Sequence, residues 1–139
     1  MLKTQIIHPQ LLSALAKCGH KAKILIADAN YSVVTNSSAD AEIVYLNFAP
    51  GMIPATTVLK GISQFIDIEA TTMLAWPDDF ENTIHGEYLE ILPAETPMTL
   101  TSRDAFYAEV RAKDALLVIA TGETRRFANL LITVGSVIL

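Results

Sequence analysis

The chain has 139 residues, of which 51% are hydrophobic and 18% are charged, and its formal net charge is −5. This length predicts one domain, residues 1–139, around a single core. The acidic balance disfavours nucleic acid as a partner, because nonspecific binding to a polyanion requires positive charge. No apolar run approaches the ~20 residues that cross a bilayer, and the first residues lack the layout of a secretion signal, so we expect a cytoplasmic protein with no membrane partner. The apolar excess indicates a large core, a subunit interface, or both.

Cysteine and histidine usage gives no sign of a metal or a disulfide. Cys18 is the only cysteine, and it falls in a helical pattern where a small buried apolar residue fits. The three histidines, His8, His20 and His85, lack the short mutual spacing and the cysteine companions of a structural zinc site. The chain also contains neither a GxxxxGK[ST] nor a GxGxxG phosphate loop.

The first elements in chain order are a helix and a buried strand. Pro9 fits the first turn of a helix, and Gly19 suits the left-handed position after its end. Four consecutive apolar residues, Ile24 to Ala27, predict a strand that is covered on both faces. Asp28 then falls at the carboxyl end of this strand.

The remaining elements continue the alternation of strands and helices. They are a strand at 42–48, a helix at 55–66, a strand at 68–76, a helix at 103–113, a strand in ALLVIATGE (115–123) and a strand in NLLITVG (129–135). Residues 78–97 have the weakest secondary-structure pattern in the chain, with a helix indicated around EYLEIL. Uninterrupted apolar strands between helices predict an α/β single domain, with a parallel or mixed sheet and helices on both faces.

Two polar positions near predicted strand ends are candidates for a site. In α/β sheets ligands bind outside the carboxyl ends of the strands, where Asp28 and the TGE turn (121–123) would lie. A buried carboxylate needs hydrogen bonds, and His20 is a natural partner because an imidazole titrates near neutrality and can move protons. The alternative is that Asp28 caps the following turn and His20 merely follows a helix end. The spacing leaves both open.

Three further polar residues carry interpretations of their own. Asn129 opens a buried strand, so its amide needs hydrogen-bond partners. Arg103 begins a predicted helix, where the helix dipole disfavours a cation, which indicates a ligand or ion-pair role or an ordinary surface arginine. Arg125 and Arg126 are interpreted as solvated loop charges.

Taken together, these segments resemble the family of ribose pyranases and fucose mutarotases over nearly the whole chain. MLKTQIIHPQLLSALAKCGH resembles the family's opening helix and Gly-His, ILIADAN its strand with Asp-Ala, and VIATGETRRFANLLITVG its closing segment. RDAFYAEV also resembles a segment of the family, and its first part, Arg103 to Tyr107, looks closer to the fucose branch than to the ribose branch. Phe127 stands where the family usually has a tyrosine, and Ser32 stands where a proline often lies.

The resemblance implies an isomerase of free monosaccharides, with an L-fucose-like sugar favoured. It implies that His20 is the general acid/base, that Asp28 is its partner or a sugar ligand, and that Arg103, Asn129 and position 127 contact the sugar. It also implies a homo-oligomeric ring, typically a decamer, with sites shared between neighbouring subunits and no metal or organic cofactor. The alternatives are a D-ribose pyranase, a monosaccharide-binding protein that has lost catalysis, and a structural protein whose cleft is empty.

The chemistry of mutarotation fixes what such a site must do. One proton leaves the anomeric hydroxyl and one reaches the ring oxygen, which opens the hemiacetal. Our hypothesis is that His20, oriented by Asp28, moves the anomeric proton. Arg103, Asn129 and the backbone of the TGE turn would then hold sugar hydroxyls. Because Phe127 has no hydroxyl, the second proton must travel through water, Tyr107 or another side chain.

Overall fold

Helices and strands alternate along the chain in the computed structural model, which describes all residues 1–139. The helices are α1 (Pro9–Lys17), α2 (Ala55–Ile62), α3 (Thr83–Ile91) and α4 (Arg103–Val110). The strands are β1 (Lys23–Ala27), β2 (Glu42–Tyr45), β3 (Ile68–Leu74), β4 (Met98–Thr101), β5 (Ala115–Ala120) and β6 (Leu130–Val134). None of the four helices combines the length and the apolar character that a membrane span needs.

The six strands form one mixed sheet in the order β2-β5-β1-β6-β3-β4. Strand β6 runs antiparallel to its neighbours β1 and β3, and the other adjacent pairs are parallel. Because β6 is reversed, its first residues lie beside the last residues of β1 and β3. We call this the carboxyl end of the sheet, and the opposite end the amino end.

Apolar side chains cover the sheet on both faces. Along β1, Ile24 and Ile26 belong to a large cluster that includes residues of α1, α2 and α3. Leu25 and Ala27 point to the other face, where they join a smaller cluster with Phe106 of α4. The prediction of an α/β domain with helices on both faces of a mixed sheet is therefore confirmed.

The first helix agrees with the sequence interpretation, but its end does not. Cys18 follows α1 in an extended conformation, and the left-handed conformation predicted for Gly19 is found instead at Lys21, with φ 74°. The Nδ1 atom of His8 accepts a hydrogen bond from the backbone N–H of Leu11 at 3.2 Å, so the imidazole caps α1. Cys18 is buried and its Sγ atom lies 3.3 Å from the carbonyl oxygen of Ala14. Burial raises the pKa of the Cys18 thiol, and nearby Glu42 raises it further, which disfavours the reactive thiolate.

The structure departs from the sequence prediction mainly at element ends. Strand β4 was not predicted, because its side chains are half-buried or exposed and it pairs only with β3 at the margin of the sheet. Strand β2 ends at Tyr45, so Phe48 lies outside the sheet and is 84% exposed. The helix indicated near EYLEIL is α3, which begins earlier because the Asn82 side chain accepts a hydrogen bond from the N–H of His85 at 3.0 Å.

Candidate active site

A cleft of about 220 Å³ opens at the carboxyl end of the sheet. Its walls come from the segment after β1, the end of β3, the first turn of α4 and the segment before β6. Four of the five predicted site residues line it: Asp28, Arg103, Phe127 and Asn129. The reversal of β6 brings Asn129 to the same end of the sheet as Asp28.

Asp28 is buried and caps the turn that follows β1. Its Oδ1 atom accepts hydrogen bonds from the backbone N–H groups of Asn30 and Tyr31, each at 3.0 Å. Burial raises the pKa of the Asp28 carboxyl, and the backbone hydrogen bonds offset only part of that effect. The capping alternative is therefore confirmed, and the same carboxyl group also faces the cleft.

Asn129 joins the start of β6 to the end of β1. Its Oδ1 atom accepts a hydrogen bond from the backbone N–H of Asp28 at 2.8 Å. Because the amide oxygen is used in this way, the Nδ2 group is the part of Asn129 left to donate to a ligand. The expectation that this amide needs a partner is confirmed.

Arg103 and Tyr107 lie one turn apart on α4 and form a pair in the cleft. Nη1 of Arg103 donates to the Tyr107 hydroxyl at 3.2 Å, and the guanidinium lies 5.8 Å from the ring centroid. Tyr107 in turn packs edge-on against Tyr31 with ring centroids 5.5 Å apart. Because the Tyr107 oxygen is the acceptor, its own proton is free to donate into the cleft.

Phe127 presents a ring without a hydroxyl to the cleft. Its backbone has φ 55°, and its carbonyl oxygen accepts a hydrogen bond from Nδ2 of Asn82 at 3.1 Å. The Phe127 ring lies 5.0 Å from the ring of Phe80. Arg126 is exposed, as interpreted, yet its guanidinium stacks 5.3 Å from the Phe127 ring and lines the cleft.

The backbone N–H groups of the TGE turn make hydrogen bonds within the fold, and the turn does not line the cleft. The backbone N–H groups of Thr121, Gly122 and Glu123 donate to the Ala27 carbonyl, the Ile53 carbonyl and the Thr121 hydroxyl at 2.9–3.2 Å. All three donors are therefore occupied. This contradicts the prediction that the backbone of the turn holds sugar hydroxyls.

Beside the site, the buried Glu123 pairs with the half-buried Arg125. The Glu123 carboxylate is 4% exposed, accepts from Nε of Arg125 at 3.1 Å and from Nη2 at 3.2 Å, and caps α2 through the N–H of Ala55. Burial raises the pKa of Glu123, but hydrogen bonds and charge from Arg125 outweigh it and hold the pKa below its ordinary value. Since Arg125 also pairs with Glu87, the interpretation of Arg125 as a solvated loop charge was wrong.

His20 lies at the amino end of the sheet, away from the cleft. Its Nε2 atom is 3.0 Å from Oε2 of Glu69, the second residue of β3. The whole of β1 separates His20 from Asp28, and five residues of strand span about 16 Å. The prediction that Asp28 orients His20 within one chain is therefore wrong, because the two residues flank opposite ends of the same strand.

Some of the other cleft residues could be found from their spacing in the sequence. Tyr31 follows Asp28 by three residues, and Tyr107 follows Arg103 by four, the spacing that places two side chains on one face of a helix. Glu69, by contrast, is 49 residues from His20 in the sequence, so no local pattern could have paired them. No group of three or more His, Cys, Asp or Glu side chains has the arrangement of a metal site.

Known proteins resemble this chain in sequence and in fold. The family model described as the RbsD / FucU transport protein family matches residues 1–137. The fucose mutarotase of Danio rerio is 32% identical over 142 residues, covering 94% of this chain and 89% of the relative. The fucose mutarotase of Homo sapiens is 30% identical over 138 residues, with the same coverage of 94% and 89%.

Two solved structures have the same fold. The fucose mutarotase of Streptococcus pneumoniae in complex with L-fucose has a TM-score of 0.84, covers 99% of this chain and 100% of its own, and at 23% identity shows the fold alone. Bacillus subtilis RbsD complexed with D-ribose has a TM-score of 0.83, 27% identity and the same coverage of 99% and 100%. The fold, the cleft and these relatives support a class of sugar isomerases, the mutarotases and pyranases. The chain belongs to the RbsD / FucU family.

Proposed function

We propose that this chain interconverts the anomers or ring forms of a free monosaccharide in the cytoplasm, with an L-fucose-like sugar favoured. The observation that carries the proposal is the convergence of Asp28, Arg103 and Asn129 on one cleft at the carboxyl end of the sheet. A carboxylate, a guanidinium and an amide together supply the acceptors and donors that sugar hydroxyls require. The relatives named fucose mutarotase support the choice of sugar.

The proposed reaction needs two proton movements and no external oxidant or co-reactant. A base removes the proton from the anomeric hydroxyl, the bond between the anomeric carbon and the ring oxygen breaks, and an acid protonates the ring oxygen. Reclosure on the other face of the carbonyl gives the other anomer, and reclosure by another hydroxyl changes the ring size. A positioned acid/base contributes about 10²–10⁴-fold.

We keep His20 as the general base, and its position requires that it act on the cleft of a second copy of the chain. Within one chain the imidazole and the cleft lie at opposite ends of the sheet. A homo-oligomeric ring with shared sites, which we propose is a decamer, accommodates this separation. Exposed apolar side chains support a subunit interface: Tyr45 is 55% exposed, Phe48 84% and Met52 53%.

The second proton is assigned to Tyr107. Its hydroxyl accepts from the cationic Arg103, which leaves the phenolic proton for the ring oxygen and stabilises the negative charge that develops on Tyr107. Phe127 cannot supply a proton. Asp28, Arg103 and Asn129 hold the remaining hydroxyls, and Phe127 provides an apolar wall beside the sugar ring.

Two other functions each have one observation in their favour. Phe127 favours a monosaccharide-binding protein without catalysis, because the hydroxyl usual at that position is missing. The likeness to Bacillus subtilis RbsD, complexed with D-ribose, favours a pyranase that acts on ribose. The binding protein would bind a reducing sugar saturably without speeding anomer exchange, and the pyranase would prefer D-ribose.

The test is saturation-transfer NMR of anomer exchange, with L-fucose and D-ribose offered in turn. We expect the wild type to accelerate exchange and His20→Ala to lose at least about 100-fold of that acceleration. His85→Ala is the matched control, since His85 packs against Trp76 with ring centroids 4.9 Å apart and does not line the cleft. No acceleration of either sugar by the wild type would contradict the proposal for these substrates.

A further inference from the structure

We propose that Arg126 is a specificity-determining residue of the cleft, and that it selects monosaccharides with an anionic group, a carboxylate or a phosphate ester, remote from the anomeric carbon. The inference rests on the proposed function, because it takes this cleft as the sugar site. It deepens that function by naming a substrate class, and its test is a binding measurement that does not require catalysis.

Two arginine side chains line the cleft without a carboxylate partner. Arg103 belongs to the first turn of α4, and Arg126 lies in the segment before β6. No carboxylate oxygen lies within 4.0 Å of either guanidinium. The neighbouring Arg125 differs, since it pairs with both Glu123 and Glu87. Because the chain has 15 acidic and 10 basic side chains, acidic partners are plentiful, and the two cations of the cleft are nevertheless left for a ligand.

Two aromatic rings hold the Arg126 guanidinium in place. Its Cζ atom lies 5.5 Å from the ring centroid of Phe80 and 5.3 Å from that of Phe127. The two rings pack edge to face, with centroids 5.0 Å apart. A guanidinium over aromatic rings is attracted by their electron-rich faces, and its N–H groups remain for hydrogen bonds with a ligand. Arg126 is therefore positioned at the cleft in advance, although its side chain is exposed.

A guanidinium in this setting recognises an anionic group better than a neutral hydroxyl. Arginine carries its N–H donors in a planar fork that matches the oxygens of a carboxylate or a phosphate. Charge-assisted hydrogen bonds of this kind are about twice as strong as neutral ones. A neutral sugar leaves the charge of Arg126 to water, whereas an anionic sugar neutralises it.

The charges around the cleft determine which side of it receives the anionic group. Asp28 is buried, and a second negative charge beside its carboxylate would be repelled. Asp79 and Glu81 flank Phe80 in the sequence, yet neither carboxylate comes within 4.0 Å of the Arg126 guanidinium. The anionic group of the sugar therefore lies at Arg126, at the exposed side of the cleft, and the neutral hydroxyls lie at Asp28.

The first test compares the binding of sugars that differ mainly in the anionic group. L-Galacturonate has the ring configuration of L-fucose with a carboxylate in place of the methyl group, and D-ribose 5-phosphate adds a phosphate to D-ribose. Isothermal titration calorimetry gives the Kd of each sugar, and the neutral Kd divided by the anionic Kd is the charge preference of each pair. We expect a charge preference of at least about 10 in the wild type for one or both pairs. The pair that shows it distinguishes a carboxylate from a phosphate.

Arg126→Met is the diagnostic variant, because methionine keeps an unbranched stem against Phe80 and Phe127 and removes the charge. Its charge preference should fall below about twofold. Arg126→Lys keeps the charge without the planar fork and should retain part of the preference. Arg111→Met is the matched control. Arg111 also lacks a carboxylate partner, donates to Oδ1 of Asn36 at 3.3 Å and does not line the cleft, so its loss changes the net charge equally and should leave the charge preference at the wild-type value.

A wild-type charge preference below about twofold in both pairs would overturn the inference. An equal loss of preference in Arg126→Met and Arg111→Met would also overturn it, since net charge alone would then explain the binding. Either result leaves the proposed function intact if the wild type accelerates the anomer exchange of a neutral sugar. If no sugar shows accelerated exchange but the charge preference depends on Arg126, the proposed function fails and the anion site stands.

Discussion

The guanidinium of Arg103 donates a hydrogen bond to the hydroxyl of Tyr107, one turn further along α4, and both side chains face the cleft. The Tyr107→Phe substitution retains the ring that packs against Tyr31 and removes the hydroxyl. We expect kcat to fall about 10-fold or more, because the ring oxygen of the sugar loses its proton donor. Saturation-transfer NMR gives kcat and KM.

Tyr31→Phe is the control, because the Tyr31 hydroxyl donates to the carbonyl oxygen of Asn36 at 2.8 Å and is already occupied. Its effect on kcat should be small. If Tyr107→Phe keeps the wild-type kcat, Tyr107 does not carry the second proton, and water or another side chain does.

Phe127→Tyr restores the hydroxyl usual in the family. The two side chains share the same ring, so the packing against Phe80 and Arg126 should persist. We expect kcat to rise severalfold as a second donor enters the cleft, with the melting temperature nearly unchanged. The same NMR experiment and a thermal melt measure both quantities. An unchanged kcat would mean that a hydroxyl at this position faces away from the reacting oxygens.

Asp28→Asn should separate activity from stability. The raised pKa means that the fold disfavours the ionised carboxylate, so stability is lost as the pH rises above the ordinary pKa of 3.8. Asparagine removes that charge, and its oxygen can still accept from the N–H groups of Asn30 and Tyr31. We expect an equal or higher melting temperature at pH 7 with at least about 10-fold lower kcat/KM, because a sugar acceptor is lost. A large drop in melting temperature would show that the charge itself supports the turn.

Glu123 should make the protein sensitive to acid. Its pKa in the fold lies below the ordinary 4.5, so its stabilisation is present above that value and disappears as the pH falls through the lowered pKa. Glu123→Gln leaves Arg125 with a weaker partner and should cost about 2 kcal/mol at pH 7, less than a fully buried pair because Glu87 remains. Urea unfolding from pH 7 to pH 3 measures this. The difference between wild type and variant should shrink toward the acid end, and a constant difference would contradict the assignment.

The elements that the sequence predicted well are those whose pattern is decided by burial. β1 and β5 are continuous apolar runs because helices cover both faces of the sheet, and a run of that kind has few other interpretations. β4 is short and half-exposed, so its sequence carries no such constraint. Strand β2 ends at Tyr45 because the residues after it turn back on themselves, and the N–H of Phe48 donates to the carbonyl of Met52.

The residues of the candidate site also fall into those that could be predicted from the sequence and those that could not. Asp28 could be placed because it follows a legible strand, and Arg103, Phe127 and Asn129 because the resemblance covers their segments. The partner of His20 could not be predicted, since Glu69 looks like any polar residue of a strand and lies far along the chain. The hydrogen-bond partners of the N–H groups in the TGE turn could not be predicted either. One of their acceptors is the carbonyl of Ile53, which lies in a loop with no recognisable sequence pattern.

If His20 acts on the cleft of a second copy, as proposed, each chain carries two complementary halves of a site, one at each end of its sheet. Under the proposed mechanism a lone chain is inactive however well it folds, and specific activity should rise with protein concentration. Two chains related by a twofold axis complete both of their sites, whereas two chains stacked head to tail complete one and leave one half unmatched at each extremity. In a head-to-tail array, every site is complete only when the array closes into a ring. The number of active sites per chain would then depend on the symmetry of the assembly.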